Sequence, residues 1–267
     1  MTSESGQTSQ GIYWERRGSG PYLTLVIGFG QDSSAWQFVA TELENDFTLI
    51  LIDNRGAGRS PNLEESFSLD DLADDVIGVL TELGIPSTAM AGQSMGGAIA
   101  QLVALRRPDL VSHLILLNSF AQIGTAPRLA FEAVYQLLIH NTALDDVVAN
   151  LNPWIYSGKY LVAPGRLEQL AHDAANNPYP QPVHSYRAQL DALTEFNSLG
   201  RLRQIGQPTL VIGGNEDLVA PAASVNALHA GIADSTLKIV DSGHASHIEV
   251  PAQVADEFRN FLSKSDA

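Results

Sequence analysis

The sequence predicts an α/β fold in which a mostly parallel sheet is flanked by helices and interrupted by a helical insertion. The first observation behind this prediction is a regular alternation along the chain. Short apolar runs bounded by turn residues alternate with amphipathic stretches. The second observation is that the alternation stops after Ser119 and resumes at Thr209, with helical patterns between them.

The apolar runs are the predicted strands. They span residues 22–27, 47–52, 88–91, 114–117, 209–212 and 237–240. Most are too apolar to be half-exposed, which favours a sheet buried on both faces. Residues 11–17 are predicted to add an antiparallel strand at the start.

A helix is predicted from residue 69, where apolar residues recur at helical spacing after Ser68, a residue suited to cap the start. Four carboxylates lie largely off this apolar stripe: Asp70, Asp71, Asp74 and Asp75. A metal site is one interpretation of them. A solvated face, favoured near a helix N-terminus, is the interpretation we adopt.

The insertion is predicted to span residues 120–204. Helical patterns cover 129–140, 144–151, 166–175 and 183–193, and the proline-rich stretch 177–182 is typical of a loop. We interpret the insertion as a helical lid, or cap, on a core domain formed by residues 1–119 and 205–267.

Composition limits the classes of function. A chain of 267 residues with 45% hydrophobic and 17% charged residues can bury a sizeable core. Its formal charge of −15 disfavours binding to nucleic acid. The absence of cysteine excludes disulfides, thiolate nucleophiles and Cys-ligated metals.

The sequence gives no sign of export or membrane insertion. The first ten residues lack the cationic start and apolar core of a signal peptide, and no apolar run reaches ~18 residues. We therefore expect a cytoplasmic protein without a membrane span.

The candidate nucleophile is Ser94. It lies in the run Gly92-Gln93-Ser94-Met95-Gly96-Gly97, which follows a predicted strand and opens a predicted helix. That context is the one a nucleophile elbow demands. Side chains at 92 and 96 would collide where strand and helix cross, and the strained turn would raise the Ser94 hydroxyl above the sheet.

The candidate base is His244, one of seven histidines. It follows Gly243 in the loop after the last strand, where it can reach the sheet edge that carries Ser94. His247 is the nearest rival, three residues on. The two could in principle hold a metal, but a third ligand is not apparent, so no metal site is predicted.

The candidate acid is Asp217, which follows the strand 209–212 within Gly213-Gly214-Asn215-Glu216-Asp217. At that position it can accept a hydrogen bond from the imidazole, hold its tautomer and stabilise the cation formed during proton transfer. Glu216 is expected to point elsewhere, Asp241 is a possible substitute, and a mere helix cap is the alternative role for Asp217.

These motifs resemble the α/β-hydrolase superfamily over nearly the whole chain. The resemblance includes Ser, Asp, His as the chain order, the stretch from Asp53 to Ser60, which is similar to that of esterases and enol-lactone hydrolases, and Gly243-His244 followed by Glu249 and Pro251. It implies an α/β-hydrolase fold, and an architectural rather than catalytic role for Asp53 and Arg55.

The resemblance also implies an oxyanion hole made of two backbone amides, those of Met95 and Phe29. The chain departs from its relatives here, because they usually have histidine where it has Ile27.

The implied activity is that of a serine hydrolase for a carboxylic ester or lactone, without a cofactor. Because the nucleophile is serine, the aspartate-dependent haloalkane dehalogenases and epoxide hydrolases are excluded. The expected ligand is a small molecule with an apolar acyl group, and the oligomeric state is left open. The candidate pocket residues, which could equally pack the lid together, are Phe120, Phe131, Tyr135, Trp154 and Tyr156.

Two other classes of function stay open. The same fold hosts cofactor-free lyases, perhydrolases, carbon–carbon bond hydrolases and dioxygenases, and some relatives are receptors for small lactones. Fold alone does not separate them, because function depends on the site.

Overall fold

The computed structural model describes residues 3–62 and 64–263. The outer ends of the predicted core, residues 1–2 and 264–267, lie outside these ranges. The strands are β1 Glu4–Gln7, β2 Tyr13–Gly18, β3 Tyr22–Val26, β4 Thr48–Ile52, β5 Thr88–Gln93, β6 Val111–Leu117, β7 Thr209–Gly214 and β8 Ser235–Val240. They form one sheet in the order β1-β2-β4-β3-β5-β6-β7-β8.

Helices connect the strands. They are α1 Gln37–Leu43, α2 Leu69–Glu82, α3 Met95–Arg106, α4 Thr125–Ile139, α5 Leu144–Ile155, α6 Gly158–Leu161, α7 Arg166–Ala175, α8 Val183–Glu195, α9 Ala222–Gly231, α10 Ser246–Glu249 and α11 Pro251–Leu262. Short 3₁₀ helices cover Ser33–Trp36 and Leu199–Gln204. None of the helices in the described ranges combines the length and apolarity needed to cross a membrane.

The sheet is parallel from β4 to β8 and antiparallel at β1–β2 and β2–β4. Successive residues of β4 face opposite sides. Leu49 and Leu51 join the apolar cluster under α1 and α11, whereas Ile50 and Ile52 join the cluster under α2 and α3. The sheet is therefore covered on both faces, and the predicted α/β architecture is confirmed.

The strand β8 is an exception to the expectation that most strands are buried on both faces. This strand lies at the edge of the sheet, and its exposure alternates along the chain, with Ile239 about half-exposed. Four short elements, β1, α1, α6 and α10, were not predicted. They span four to seven residues each, too few for a clear period of hydrophobic residues.

The start of α2 forms as predicted, with Ser68 and Asp71 in a reciprocal capping box. The interpretation of the carboxylates as one solvated face is wrong for Asp75. This residue is buried, and its carboxylate accepts from Arg55 Nε at 2.5 Å and from Arg55 Nη2 at 2.6 Å. Burial raises the pKa of Asp75, and the Arg55 hydrogen bond and charge oppose this rise.

Asp53, expected to be architectural, joins neighbouring turns. Its carboxylate accepts from the amides of Ser33 and Arg59, at 2.8 and 2.9 Å, and from the Arg59 side chain. The turn after β4 is thereby attached to the loop after β3, the loop that carries Phe29.

Candidate active site

Ser94 lies at the turn between β5 and α3 in a strained backbone conformation, with φ 54° and ψ −120°. The glycines around it allow this turn. A side chain on Gly92 would collide with the backbone of Gly96, and one on Gly96 would collide with the carbonyl oxygens of Val26 and Ile27. This is the steric role that the sequence predicts for both glycines.

Three side chains meet at the carboxyl edge of the parallel strands. Ser94 Oγ lies 2.8 Å from His244 Nε2, and His244 Nδ1 lies 2.9 and 3.0 Å from the two carboxylate oxygens of Asp217. All three side chains are buried. The distances are those needed for a base to take a proton from a nucleophile while a carboxylate orients the base.

The surroundings of Asp217 favour its charged form. Burial, the largest influence, favours the neutral carboxyl, but the His244 imidazole and the donors around it hold its pKa below the usual range. Those donors are the amides of Val219 and Ala220, each at 2.8 Å, and Asn118 Nδ2 at 2.9 Å. Asp217 is therefore available as an acceptor for the imidazole.

The loop that carries His244 is held by the helical insertion. The amides of His244 and Ala245 both donate to the Ile155 carbonyl, at 2.8 and 3.1 Å. The Glu249 carboxylate accepts from the Gly243 amide at 3.0 Å and from the amide and hydroxyl of Ser157. Both ties join the insertion to the loop after β8.

His247, the rival base, is not hydrogen-bonded to this group. Its ring is fully buried against Trp36, with ring centroids 5.3 Å apart, and among the described residues neither ring nitrogen has a hydrogen-bond partner. Burial, with the neighbouring His244, lowers its pKa to about 3. No set of three His, Asp or Glu side chains within residues 3–62 and 64–263 is arranged to hold a metal ion.

Neither the Phe29 nor the Met95 amide donates to an acceptor in the described part of the chain. Met95 directly follows Ser94, and a side chain on Gly28 would meet the Ser94 Cβ, so both amides lie beside the nucleophile. Ile27 is fully buried in the apolar core. Its carbonyl accepts from Asn54 Nδ2 at 2.8 Å, and the Gly30 amide donates to Gln189 Oε1 at 3.1 Å.

A cavity of about 760 Å³ opens above Ser94 and His244. Its walls include α4, α5, α7 and residues 29–38, and its apolar lining includes Val134, Leu138, Val147 and Leu151. Charged groups among the described lining residues are the Asp32 and Asp173 carboxylates and the Arg166 guanidinium, which lies over the Tyr160 ring at 4.0 Å.

The structure divides the candidate pocket residues. Phe131 and Tyr156 line the cavity. Phe120, Tyr135 and Trp154 are not among its described lining residues. Phe120 is fully buried in the core, Trp154 packs against that core, and Tyr135 stacks on Tyr186. These three rings therefore make their contacts elsewhere in the structure, Phe120 fully buried and Tyr135 and Trp154 half-buried.

Several supporting residues were not identified from the sequence. Asn118 follows β6 at the same sheet edge as Asp217, and this position is a signal that could have found it. Gln189 and Ile155 lie in the insertion and carry no motif. The alternatives to Asp217 have other partners: Glu216 accepts from the Gly158 amide, and Asp241 pairs with Lys159 and Asn215.

Comparisons with known proteins agree with this architecture. The model of the alpha/beta hydrolase fold family matches residues 21–251. The 3-oxoadipate enol-lactonase 2 of Acinetobacter baylyi is 30% identical over 231 residues, which cover 86% of this chain and 84% of the relative. RutD of Agrobacterium fabrum, provisionally assigned as a carbamate hydrolase, is 27% identical over 249 residues, covering 92% and 94%.

A solved structure is similar over the same length. The enol-lactonase of Burkholderia xenovorans superposes with a TM-score of 0.82 at 25% identity. The match covers 97% of this chain and 100% of the enol-lactonase chain. The likeness therefore extends through the insertion as well as the sheet.

Proposed function

Because the chain belongs to the alpha/beta hydrolase fold family, we propose that it hydrolyses a carboxylic ester or lactone through an acyl-enzyme on Ser94. The observation that carries this proposal is the hydrogen-bonded series Ser94, His244, Asp217 at the floor of an apolar cavity. The enol-lactonase relatives support the lactone half of the proposal.

In the proposed acylation step, Ser94 Oγ attacks the carbonyl carbon while His244 Nε2 takes its proton. Asp217 stabilises the imidazolium that forms. The carbonyl oxygen becomes an oxyanion that accepts from the Phe29 and Met95 amides. The tetrahedral intermediate then collapses, the bond to the alcohol oxygen breaks, and His244 returns the proton to that oxygen.

In the deacylation step, His244 takes a proton from water as the water oxygen attacks the acyl carbon. Collapse of the second intermediate releases the carboxylic acid and returns the proton to Ser94. With a lactone the alcohol and acyl groups belong to one molecule, so ring opening yields a hydroxy acid.

We also propose that the insertion, residues 120–204, acts as a lid that shapes the acyl pocket. Its helices supply the apolar side chains above Ser94, among them Phe131, Val147 and Leu151. Such a lid excludes water and selects substrate shape. An apolar acyl group is the ligand this lining suits.

The test is replacement of Ser94 by alanine, with Ser34→Ala as a matched control. Ser34 lines the same cavity but is exposed, with no hydrogen bond from its hydroxyl to the described residues. We expect Ser94→Ala to lower kcat by ~10⁴–10⁶-fold without unfolding, and Ser34→Ala to leave kcat within ~2-fold. The measurements are turnover of p-nitrophenyl esters and of a lactone panel, and labelling by a fluorophosphonate with mapping of the modified peptide.

Two results would contradict the proposal. Near wild-type turnover by Ser94→Ala would remove Ser94 from the mechanism. Ligand-induced stabilisation of the wild-type protein, with neither turnover nor labelling, would support a receptor-like binding module instead.

A further inference from the structure

One buried amide side chain, Gln189 of α8, joins the loop after β3 to the insertion. Its Oε1 accepts from the Gly30 amide at 3.1 Å and from Gln181 Nε2 at 3.0 Å, and its Nε2 donates to the Arg55 carbonyl at 2.8 Å. The side chain is fully buried. Gln189 therefore links three segments that are distant in the sequence.

In the loop after β3, two peptide groups are fixed by hydrogen bonds to side chains, and the peptide group between them carries the Phe29 amide. The Ile27 carbonyl, in the peptide between 27 and 28, accepts from Asn54. The Gly30 amide, in the peptide between 29 and 30, donates to Gln189. The Phe29 amide belongs to the peptide between these two. Because neighbouring peptide planes are related by only two torsion angles, fixing both neighbours restricts the direction of the Phe29 N–H.

Packing alone does not explain this restriction. The Phe29 ring contacts the rings of Tyr186 and Phe131, with centroids 4.7 and 5.3 Å apart. These contacts hold the loop in place but are less directional than hydrogen bonds. The Ile27 side chain has no polar group, and the Gly30 amide has no backbone acceptor among the described residues, so the Gln189 side chain is its partner.

We propose that Gln189 is a positioning residue that directs the Phe29 amide toward the oxyanion. It follows that the oxyanion hole is complete only while α8 is docked on the core. The inference rests on the proposed function, because that function forms an oxyanion. It goes further in that a residue of the insertion orients the loop after β3.

The test compares Gln189→Met with Gln101→Met. Methionine retains the length of the side chain and removes its hydrogen bonds. Gln101 of α3 is a matched control, since it is also fully buried, donates to the carbonyls of Gly97 and Phe120, and accepts from Ser198. Losing either set of bonds should lower the melting temperature by a similar amount.

The two variants should differ in their catalytic readouts. For Gln189→Met we expect kcat on p-nitrophenyl acetate to fall ~10–100-fold, less than the ~10²–10³-fold for complete loss of an oxyanion donor. KM should stay within ~3-fold, and affinity for phenylboronic acid should fall by the same factor as kcat. Gln101→Met should keep kcat within ~2-fold.

Amide hydrogen exchange supplies a readout that does not depend on turnover. Exchange at residues 28–30 should become at least ~10-fold faster in Gln189→Met and stay unchanged in Gln101→Met. Unchanged exchange and wild-type kcat in Gln189→Met, despite a lower melting temperature, would overturn the proposal. If wild-type Ser94 neither turns over esters nor reacts with a fluorophosphonate, the proposed function fails, and exchange still decides whether Gln189 orients the loop.

Discussion

His244 and His247 lie three residues apart, but their surroundings give them different chemistry. His244 has Ser94 on one ring nitrogen and Asp217 on the other. His247 has the Trp36 ring beside it and no hydrogen-bond partner in the described residues. A buried imidazole without partners is held neutral, and its pKa is lowered to about 3.

This difference predicts how stability depends on pH. His247 binds a proton in the unfolded chain at about pH 6.5 but in the folded chain only near pH 3, so stability falls as pH falls through this window. Between pH 7 and pH 5 the loss is ~2 kcal/mol. We expect His247→Phe to lose this part of the pH dependence, measured by urea unfolding, and the exposed control His184→Gln to retain it.

The same variants separate the two histidines in catalysis. We expect His244→Gln to nearly abolish ester turnover and His247→Phe to keep kcat within ~10-fold, because only His244 reaches Ser94. The reverse pattern would show that the loop after β8 is wrongly assigned.

The hydrogen-bonded positions Ser94, Asp217 and His244 could be predicted from the sequence because each lies in a turn or loop that follows an apolar run, and the carboxyl ends of parallel strands meet at one edge. The supporting residues differ in this respect. Asn118 follows β6 at the same edge, so its position is a signal that could have found it, although its partner Asp217 is 99 residues away. Gln189 accepts from Gly30, 159 residues away. No local pattern distinguishes such a glutamine from any other polar residue on an amphipathic helix.

At the scale of elements, the crossing of β5 and α3 leaves no room for a side chain at Gly96. The obstacles are the carbonyl oxygens of Val26, at the end of the adjacent strand β3, and of Ile27, which follows it. The elbow therefore depends on three elements packed at backbone contact rather than on the turn alone.

We expect Gly96→Ala to lower the free energy of unfolding by about 1–3 kcal/mol and to depress turnover, because the new Cβ displaces Ser94 or β3. Gly78→Ala is the matched control. Gly78 lies inside α2 with nothing within 4 Å of an added Cβ, so alanine there should add about 0.5–1 kcal/mol. Chemical denaturation and ester kinetics on both variants check this, and a stable, fully active Gly96→Ala would contradict the steric argument.

The strongly periodic elements were predictable and the short ones were not. The strands β3 to β7 have apolar runs bounded by turn residues, and α2 has a polar cap before its apolar stripe. The edge strand β8 has a similar run, but its exposure depends on having no neighbour on one side, which is a tertiary property. The ion pair between half-buried Arg55 and buried Asp75 is also a tertiary contact, which no local pattern indicates.

At the scale of the whole molecule, the formal charge of −15 acts on any charged substrate. The described lining of the cavity includes two carboxylates, Asp32 and Asp173. Arg166 is the one Lys or Arg among the described lining residues. We infer that an anionic substrate meets a net repulsive potential at low salt.

A matched pair of esters tests this inference. We expect the KM of p-nitrophenyl hydrogen glutarate to exceed that of neutral p-nitrophenyl pentanoate at ~0.01 M salt, where the screening length is ~30 Å. The difference should shrink at ~1 M salt, where the screening length is ~3 Å. A lower KM for the anionic ester at low salt would show that Arg166 outweighs the surrounding charge.

The insertion makes contacts that limit how the pocket of this protein can be exchanged. Ile155 and Ser157 hold the loop of His244, and Gln189 holds the loop of Phe29. A chimera that received residues 120–204 from a relative would gain a foreign pocket and lose these supports together. Grafting a new specificity onto this scaffold therefore calls for transplanting cavity-facing side chains of α4 and α5 singly, with Gln189 and the end of α5 left as the host has them.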